Sequence, residues 1–254
     1  TCDLGCAAGA KGGTNFTYWP MLENAGVELR SECRVREILV DEATGFATGV
    51  LYHGADGQVH EQMAELVVVA CNGVGTPRLL LNSKSKAFPD GLANRNGMVG
   101  KNLMFHPLTG VAGVFDEPML GHEGPMACSI LSQEFYETDP TRDFVRGYGL
   151  HSGRSTTPMT YALGGYGVDS PIPWGAEHRE AMDNVYPYLA GLTVVSEDLP
   201  EEHNCVTLDP DLTDSDGIAA PKITYRLGDN TRRMLRHGEE RAKEILLAAG
   251  AKKV

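Results

Sequence analysis

The sequence predicts a mixed α/β fold, and three stretches carry that prediction. Glu65-Leu-Val-Val-Val-Ala70 is a continuous, β-branched apolar run, the pattern of a strand covered on both faces in a parallel sheet. It breaks at Asn72-Gly73-Val74-Gly75, and Thr76-Pro77 then reads as an N-cap followed by proline at the first helical position, with Leu79, Leu80 and Leu81 carrying the helix inward. Thr231 to Ala249 has the spacing of an amphipathic helix: Asp229 or Asn230 as its cap, Met234, Leu235, Ile245 and Leu246 as its apolar stripe, and Gly250 as its stop.

The elements between these follow in order. Residues 1–20 are an irregular, glycine-rich stretch, and Pro20 to Gly26 gives one or two helical turns. Val27–Leu29 and Arg34–Val40 read as strands. Thr48–His53 reads as another, and Gly54-Ala55-Asp56-Gly57 turns the chain into a further short strand. Beyond residue 100 the chain becomes rich in Gly, Pro and Tyr, with short strands and long loops. Cys205–Leu208 and Lys222–Tyr225 are strands joined by an acidic loop, Asp209 to Gly217. That loop spaces its acids somewhat like a calcium loop, but lacks the sixth-position Gly and the closing Glu of an EF-hand. A tight β-connection accounts for it at less cost.

Composition excludes several classes of function. A formal net charge of -12 over 254 residues, with scattered Lys and Arg, argues against a nucleic-acid partner. No segment approaches the roughly 18 consecutive apolar residues of a membrane span. Six cysteines are too few for a disulfide scaffold. Cys33 and Cys71 fall in strand-like runs and are expected to be buried thiols. Cys2 and Cys6 form a C-x-x-x-C pair that reads as a tight loop or a local disulfide, with a metal as the rarer alternative, because no second pair at zinc spacing follows. The chain opens on Thr1 without a Met and closes where a strand is about to begin, so both ends are expected to be interior points of a longer protein.

Four blocks in a fixed order resemble the glucose–methanol–choline family of FAD oxidoreductases. The first is CDLGCAAGAKGGT with TYWP. Val35-Arg-Glu-Ile38 with Thr48-Gly49-Val50-Leu51-Tyr52 is the second. The third runs from Val67 through Asn72-Gly73-Val74-Gly75-Thr76-Pro77 to Leu81, with Val99-Gly-Lys-Asn-Leu103 downstream. The fourth comprises Glu197-Asp-Leu-Pro200, Asn204, Val206 to Pro210, Ala220-Pro-Lys222 and Asp229 to Leu235, and it is similar to the branch of pyranose oxidases and the gluconate and fructose dehydrogenase large subunits. The third block departs from the family, with Asn72-Gly73 where Gly-Ala is usual and Ser83-Lys84 where Ser-Gly is usual.

The resemblance implies an FAD-dependent oxidation of a sugar, polyol or other alcohol, in which a neutral His takes the hydroxyl proton and the flavin hands its electrons to oxygen, a quinone or a cytochrome. It implies that residues 1–100 are part of a doubly wound, Rossmann-like FAD-binding domain and residues 101–254 part of an α+β substrate-binding domain, whose antiparallel sheet is backed by the helix from Thr231. The family's opening G-x-G-x-x-G is absent; Gly73-Val-Gly75 has Arg78 in the third glycine's place. Its catalytic His and partner map past this chain, so no catalytic residue is assigned, and the chain alone is expected to hold FAD weakly and turn over nothing. His106 is expected to be hydrogen-bonded packing, and Glu197 an exposed rim carboxylate.

Four residues are candidate cofactor contacts. Val35 maps onto the position that meets the flavin's adenine edge, its plain alternative being core. Asn72, Gly73 and Thr76 have a case of their own: ligands of doubly wound sheets sit beyond the carboxyl ends of strands, Gly admits close backbone approach, and a helix N-terminus is electropositive. An ordinary strand-to-helix turn is the alternative there. For the chain as a whole, a non-catalytic α/β binding or interaction protein is the competing reading.

Overall fold

The computed structural model describes residues 9, 12–121, 130–153, 156–164 and 172–254. Cys2 and Cys6 lie outside the described residues. The chain divides into two compact units, Met21–Met104 with Pro200–Arg226, and Phe105–Leu199 with Leu227–Val254 and the N-terminal stretch to Pro20.

Two short helices come first, α1 (Thr14–Thr17) and α2 (Trp19–Asn24), and Gly26 at φ 81° ends the second as expected. The first unit is then built on a three-stranded antiparallel meander of β1 (Arg34–Val40), β2 (Ala47–His53) and β3 (Val59–Met63). Its turns are local chemistry: the Asp41 carboxylate accepts the N–H groups of Ala43 and Thr44, and Gly45 takes the left-handed φ that reverses the chain. Helix α3 (Asn72–Asn82) lies against β1, where the Ile38 N–H donates to Ser83 Oγ at 2.9 Å and Ser83 donates to the Leu79 carbonyl at 2.7 Å.

Several local expectations fail in this unit. Glu65–Ala70 forms no strand; no described residue ladders with it, and Leu66 and Val68 are 78% and 79% exposed. A β-branched run states a preference for extended backbone, while a strand also needs a neighbour. Val27–Leu29 fails in the same way, with Val27 and Leu29 exposed and unladdered. Cys33 and Cys71 are exposed free thiols, since each sits just outside a regular element and has no sheet to cover it.

The second unit holds a four-stranded antiparallel sheet in the order β4-β7-β6-β5: β4 (Leu108–Val114), β5 (Leu131–Ser132), β6 (Tyr148–Gly153) and β7 (Leu189–Ser196). Alternation sends Val111, Leu150 and Val194 to one face, where Met234, Ala242 and Leu246 cover them, and sends Ala112 and Leu189 to the other, under Tyr161, Ile172 and Tyr186. Helices α4 (Pro158–Gly164) and α5 (Ala176–Val185) carry part of that second cluster and were not foreseen.

The long helix α6 (Asp229–Ala248) is the element the sequence states most fully. Its buried stripe is Thr231, Met234, Gly238, Ala242 and Leu246, with Ile245 turned outward. Gly228, not the expected Asp229 or Asn230, takes the cap position and has no side chain to bond there, while the Asn230 amide bonds both backbone groups of Val145. At the far end Gly250, φ 99°, lets Ala251 N–H reach the Leu246 carbonyl at 3.0 Å and Gly250 N–H reach Leu247, the left-handed stop that was expected. The mixed α/β class stands, with the antiparallel sheet and its covering helix as read from the sequence.

Candidate functional site

The hairpin of β8 (Cys205–Thr213) and β9 (Ala219–Thr224) belongs to the α3 unit and anchors the loop that lines one of its cavities. Asn204, fully buried at the hairpin's base, accepts the Arg226 N–H at 2.7 Å and donates to the Arg226 carbonyl at 3.1 Å. Its own carbonyl receives the Leu103 N–H at 2.8 Å, and Val206 N–H donates to Gly100 at 2.7 Å. The 100–103 loop is thereby stitched to the hairpin. Gly100 is obligatory here, because it sits at φ 86° and a Cβ would overlap the Val206 carbonyl oxygen.

Between that loop and the start of α3 lies a cavity of about 440 Å³, lined by Asn72, Gly73, Thr76, Pro77 and Leu80 from the helix and by Val99 to Met104 from the loop. Three of the four candidate cofactor residues, Asn72, Gly73 and Thr76, therefore share one cavity. Val35 does not. It is 40% exposed on β1 and lines a second hollow of about 320 Å³ with Cys71, Gly75 and Arg78. At 100° per residue, positions 72, 73, 76 and 80 occupy one side of α3 and positions 71, 75, 78 and 82 another. The first turn of the helix is thus a ridge with a hollow on each side.

That turn starts five residues earlier than its sequence suggests. Thr76 lies inside the helix, and Asn72 does the capping: held at φ 62°, it accepts the N–H groups of Val74 and Gly75 on Oδ1 at 2.9 and 3.0 Å. Asparagine tolerates that left-handed backbone because its short amide bonds locally. Two first-turn donors are satisfied this way, and the Asn72 and Gly73 N–H groups have, by position, no intrahelical acceptor. An added Cβ on Gly73 would have no atom of the described residues within 4 Å, so nothing in their packing requires glycine there. Open backbone at an electropositive helix end fits the phosphate portion of a dinucleotide, and the partly apolar side walls fit its flat ring systems.

The cavity lining holds no His, Asp or Glu, so it can bind but offers no general base. His106 is exposed; its Nδ1 lies 3.3 Å from the Ser196 carbonyl, so it is hydrogen-bonded without being packed. Glu197 is half-buried 3.8 Å from Arg146, and so is not the exposed rim carboxylate expected.

Sequence reasoning missed Lys101, Asn102 and Leu103 as lining residues. The available signal was Val99-Gly-Lys-Asn-Leu103 itself, where Gly100 and Asn102 are the residue types that take left-handed backbone, as both do here. It also missed Asp214. The Asp214 carboxylate, 17% exposed in the hairpin turn, accepts Arg78 Nη2 at 2.7 Å and Arg34 Nη1 at 3.0 Å, and takes the Asp216 and Ile218 N–H groups on its other oxygen. Burial alone would raise its pKa; the bonds from Arg78, from those two N–H groups and from Arg34 outweigh burial and hold it well below the ordinary carboxylate range. The acidic loop is thus a structural β-connection, with Asp209 capping its own turn at Asp211 and Leu212.

The comparisons agree with the architecture. Residues 1–108 match the family model described as GMC oxidoreductase. A 2-methyl-1,2-propanediol dehydrogenase of Mycolicibacterium austroafricanum is 39% identical over 97% of this chain and 45% of its own length. The fructose dehydrogenase large subunit of Gluconobacter japonicus is 28% identical over 84% of this chain and 38% of its own. Among solved structures, a formate oxidase of Aspergillus oryzae RIB40 studied for its FAD modification superposes with a TM-score of 0.50 at 19% identity, covering 87% of this chain and 43% of that one, a likeness of fold alone. The chain belongs to the GMC oxidoreductase family, an FAD-binding family of oxidoreductases. It spans less than half the length of these curated relatives.

Proposed function

We propose that the full-length protein oxidises a CH–OH carbon of a polyol, sugar or other alcohol with FAD, and that FAD lies across the first turn of α3. The observation that carries this is the ridge itself. Asn72, Gly73 and Thr76 face one hollow and Val35 faces the other, with unencumbered backbone at Gly73 between them. A dinucleotide is long enough to touch both hollows, and the electropositive helix end between them would suit an anionic ligand. When bound, FAD supplies a two-electron acceptor for hydride from the alcohol carbon.

This chain's own work is then holding and shaping. Val35 would pack on the adenine side, and Asn72, Gly73 and Thr76 with the 100–103 loop would hold the cofactor from the other hollow. Residues 1–100 form the cofactor side and residues 101–254 the substrate side, with the β8–β9 hairpin returning to the cofactor side. The higher identity to a diol dehydrogenase than to fructose dehydrogenase favours a small polyol over a ketose.

The test is to purify the full-length protein, measure flavin released on denaturation, and follow dye reduction without oxygen using a branched 1,2-diol, fructose, gluconate, glucose and choline. Stoichiometric FAD and turnover of a diol or sugar are expected. A protein free of flavin, or one that reduces dye with none of these alcohols, contradicts the reading.

A further inference from the structure

We propose that Asp214 is a positioning residue for the cofactor edge, acting through Arg78 and Arg34; the proposal rests on the reading that FAD crosses α3. The elements that carry the candidate contacts are α3 and β1, and each is tied to the same carboxylate. Arg78 is six residues along α3 from Asn72, and it donates to Asp214 at 2.7 Å, to the Ile218 carbonyl at 3.1 Å and to the Ala219 carbonyl at 2.9 Å. Arg34 immediately precedes Val35, and it donates to Asp214 at 3.0 Å and pairs with Asp216 at 3.2 Å.

The geometry makes this a three-way clamp. Arg78 is largely buried, so its three bonds fix the rotation of α3 about its own axis, and with it the direction in which the Asn72–Gly73 backbone points. Arg34 is half-exposed and holds the start of β1, where Val35 sits. The carboxylate itself is fixed by the Asp216 and Ile218 N–H groups, so the turn that presents it is preorganised. Without Asp214, Arg78 would keep a buried charge with only carbonyl partners, and the helix would lose its reference to the strand. Asp209 supplies an internal control. It caps the same hairpin through Asp211 and Leu212 but has no bond to α3 or β1.

The experiment titrates FAD into the deflavinated full-length protein and its Asp214→Asn and Asp209→Asn variants by flavin fluorescence, with the melting temperature of each apoprotein recorded alongside. Asp214→Asn is expected to weaken FAD binding about tenfold and to shift the bound flavin's absorbance, as the loss of one charge-assisted bond predicts. Asp209→Asn is expected to leave affinity within about twofold, even where its melting temperature falls comparably. If Asp214→Asn does not accumulate as folded protein, Arg34→Gln carries the test with an expected loss of about threefold. Equal effects of the two Asp variants on affinity, or an unchanged affinity in Asp214→Asn or Arg34→Gln, would overturn the positioning role while leaving the cofactor reading intact. A wild-type protein that takes up no FAD overturns both.

Discussion

Two helical glycines show how differently the two units use the same residue. Gly238, in the buried stripe of α6, has no room: an added Cβ would stand 2.5 Å from Val194 Cγ1, 3.1 Å from its Cγ2 and 3.3 Å from Tyr148. Gly73, in the first turn of α3, has nothing within 4 Å. The first glycine lets a helix lie close on a sheet, and its reason is inside the chain. The second meets no such constraint among the described residues, which leaves its backbone open to the cofactor proposed for that helix end.

The largest effect expected from this contrast is on folding. Gly238→Val must displace Val194 from a core position with no exposure, and should lower stability by about 2–3 kcal/mol in chemical denaturation. Gly73→Val should leave the unfolding free energy within about 1 kcal/mol and instead weaken FAD retention in the full-length protein. A Gly73→Val protein that unfolds as readily as Gly238→Val would erase the distinction.

Acid should separate the two units further. In the α6 unit His237 is hydrogen-bonded to the Tyr148 hydroxyl at 2.8 Å among Phe135, Phe144 and Tyr148. Burial, then Arg241 and Arg142, lower its pKa, and Glu240 and Asp143 only partly compensate. Folding therefore favours the neutral imidazole: the stabilisation is present above the ordinary value of 6.5 and is lost as pH falls through the folded value below it. Asp214 is also depressed, so its contribution is complete above 3.8 and drains only in stronger acid. Hydrogen exchange of α6 amides should therefore accelerate at mildly acidic pH before that of α3 amides does. The opposite order would show that these two groups do not set the acid response.

A smaller effect is expected at the cap. Asn72→Ala removes the acceptor for Val74 and Gly75 and leaves a left-handed residue without its local bond, costing about 1 kcal/mol with faster amide exchange confined to the start of α3. Unchanged exchange at Val74 and Gly75 would show that these bonds carry no weight.

What was legible in the sequence follows the same divide. Helix α6 could be read from Met234, Leu246 and Gly250 because its period, its stop and its burial are all local statements. The turn at Asn72–Gly73 could be singled out because glycine and asparagine advertise unusual backbone. Glu65–Ala70 misled because an apolar run names a conformation and not a neighbour, and among the described residues it has none. The Arg78–Asp214 pair spans 136 positions, and no local pattern connects a basic helix residue to an acid in a distant turn. Thr76-Pro77 suggested a cap that Asn72 pre-empted, since its amide could satisfy two donors one turn earlier.

The most direct test of the central claim is an FAD-bound crystal structure of the full-length protein. The account predicts FAD in contact with the Asn72–Thr76 turn, with its adenine side against Val35. FAD bound with Val35 and the whole Asn72–Thr76 turn beyond contact distance would contradict it.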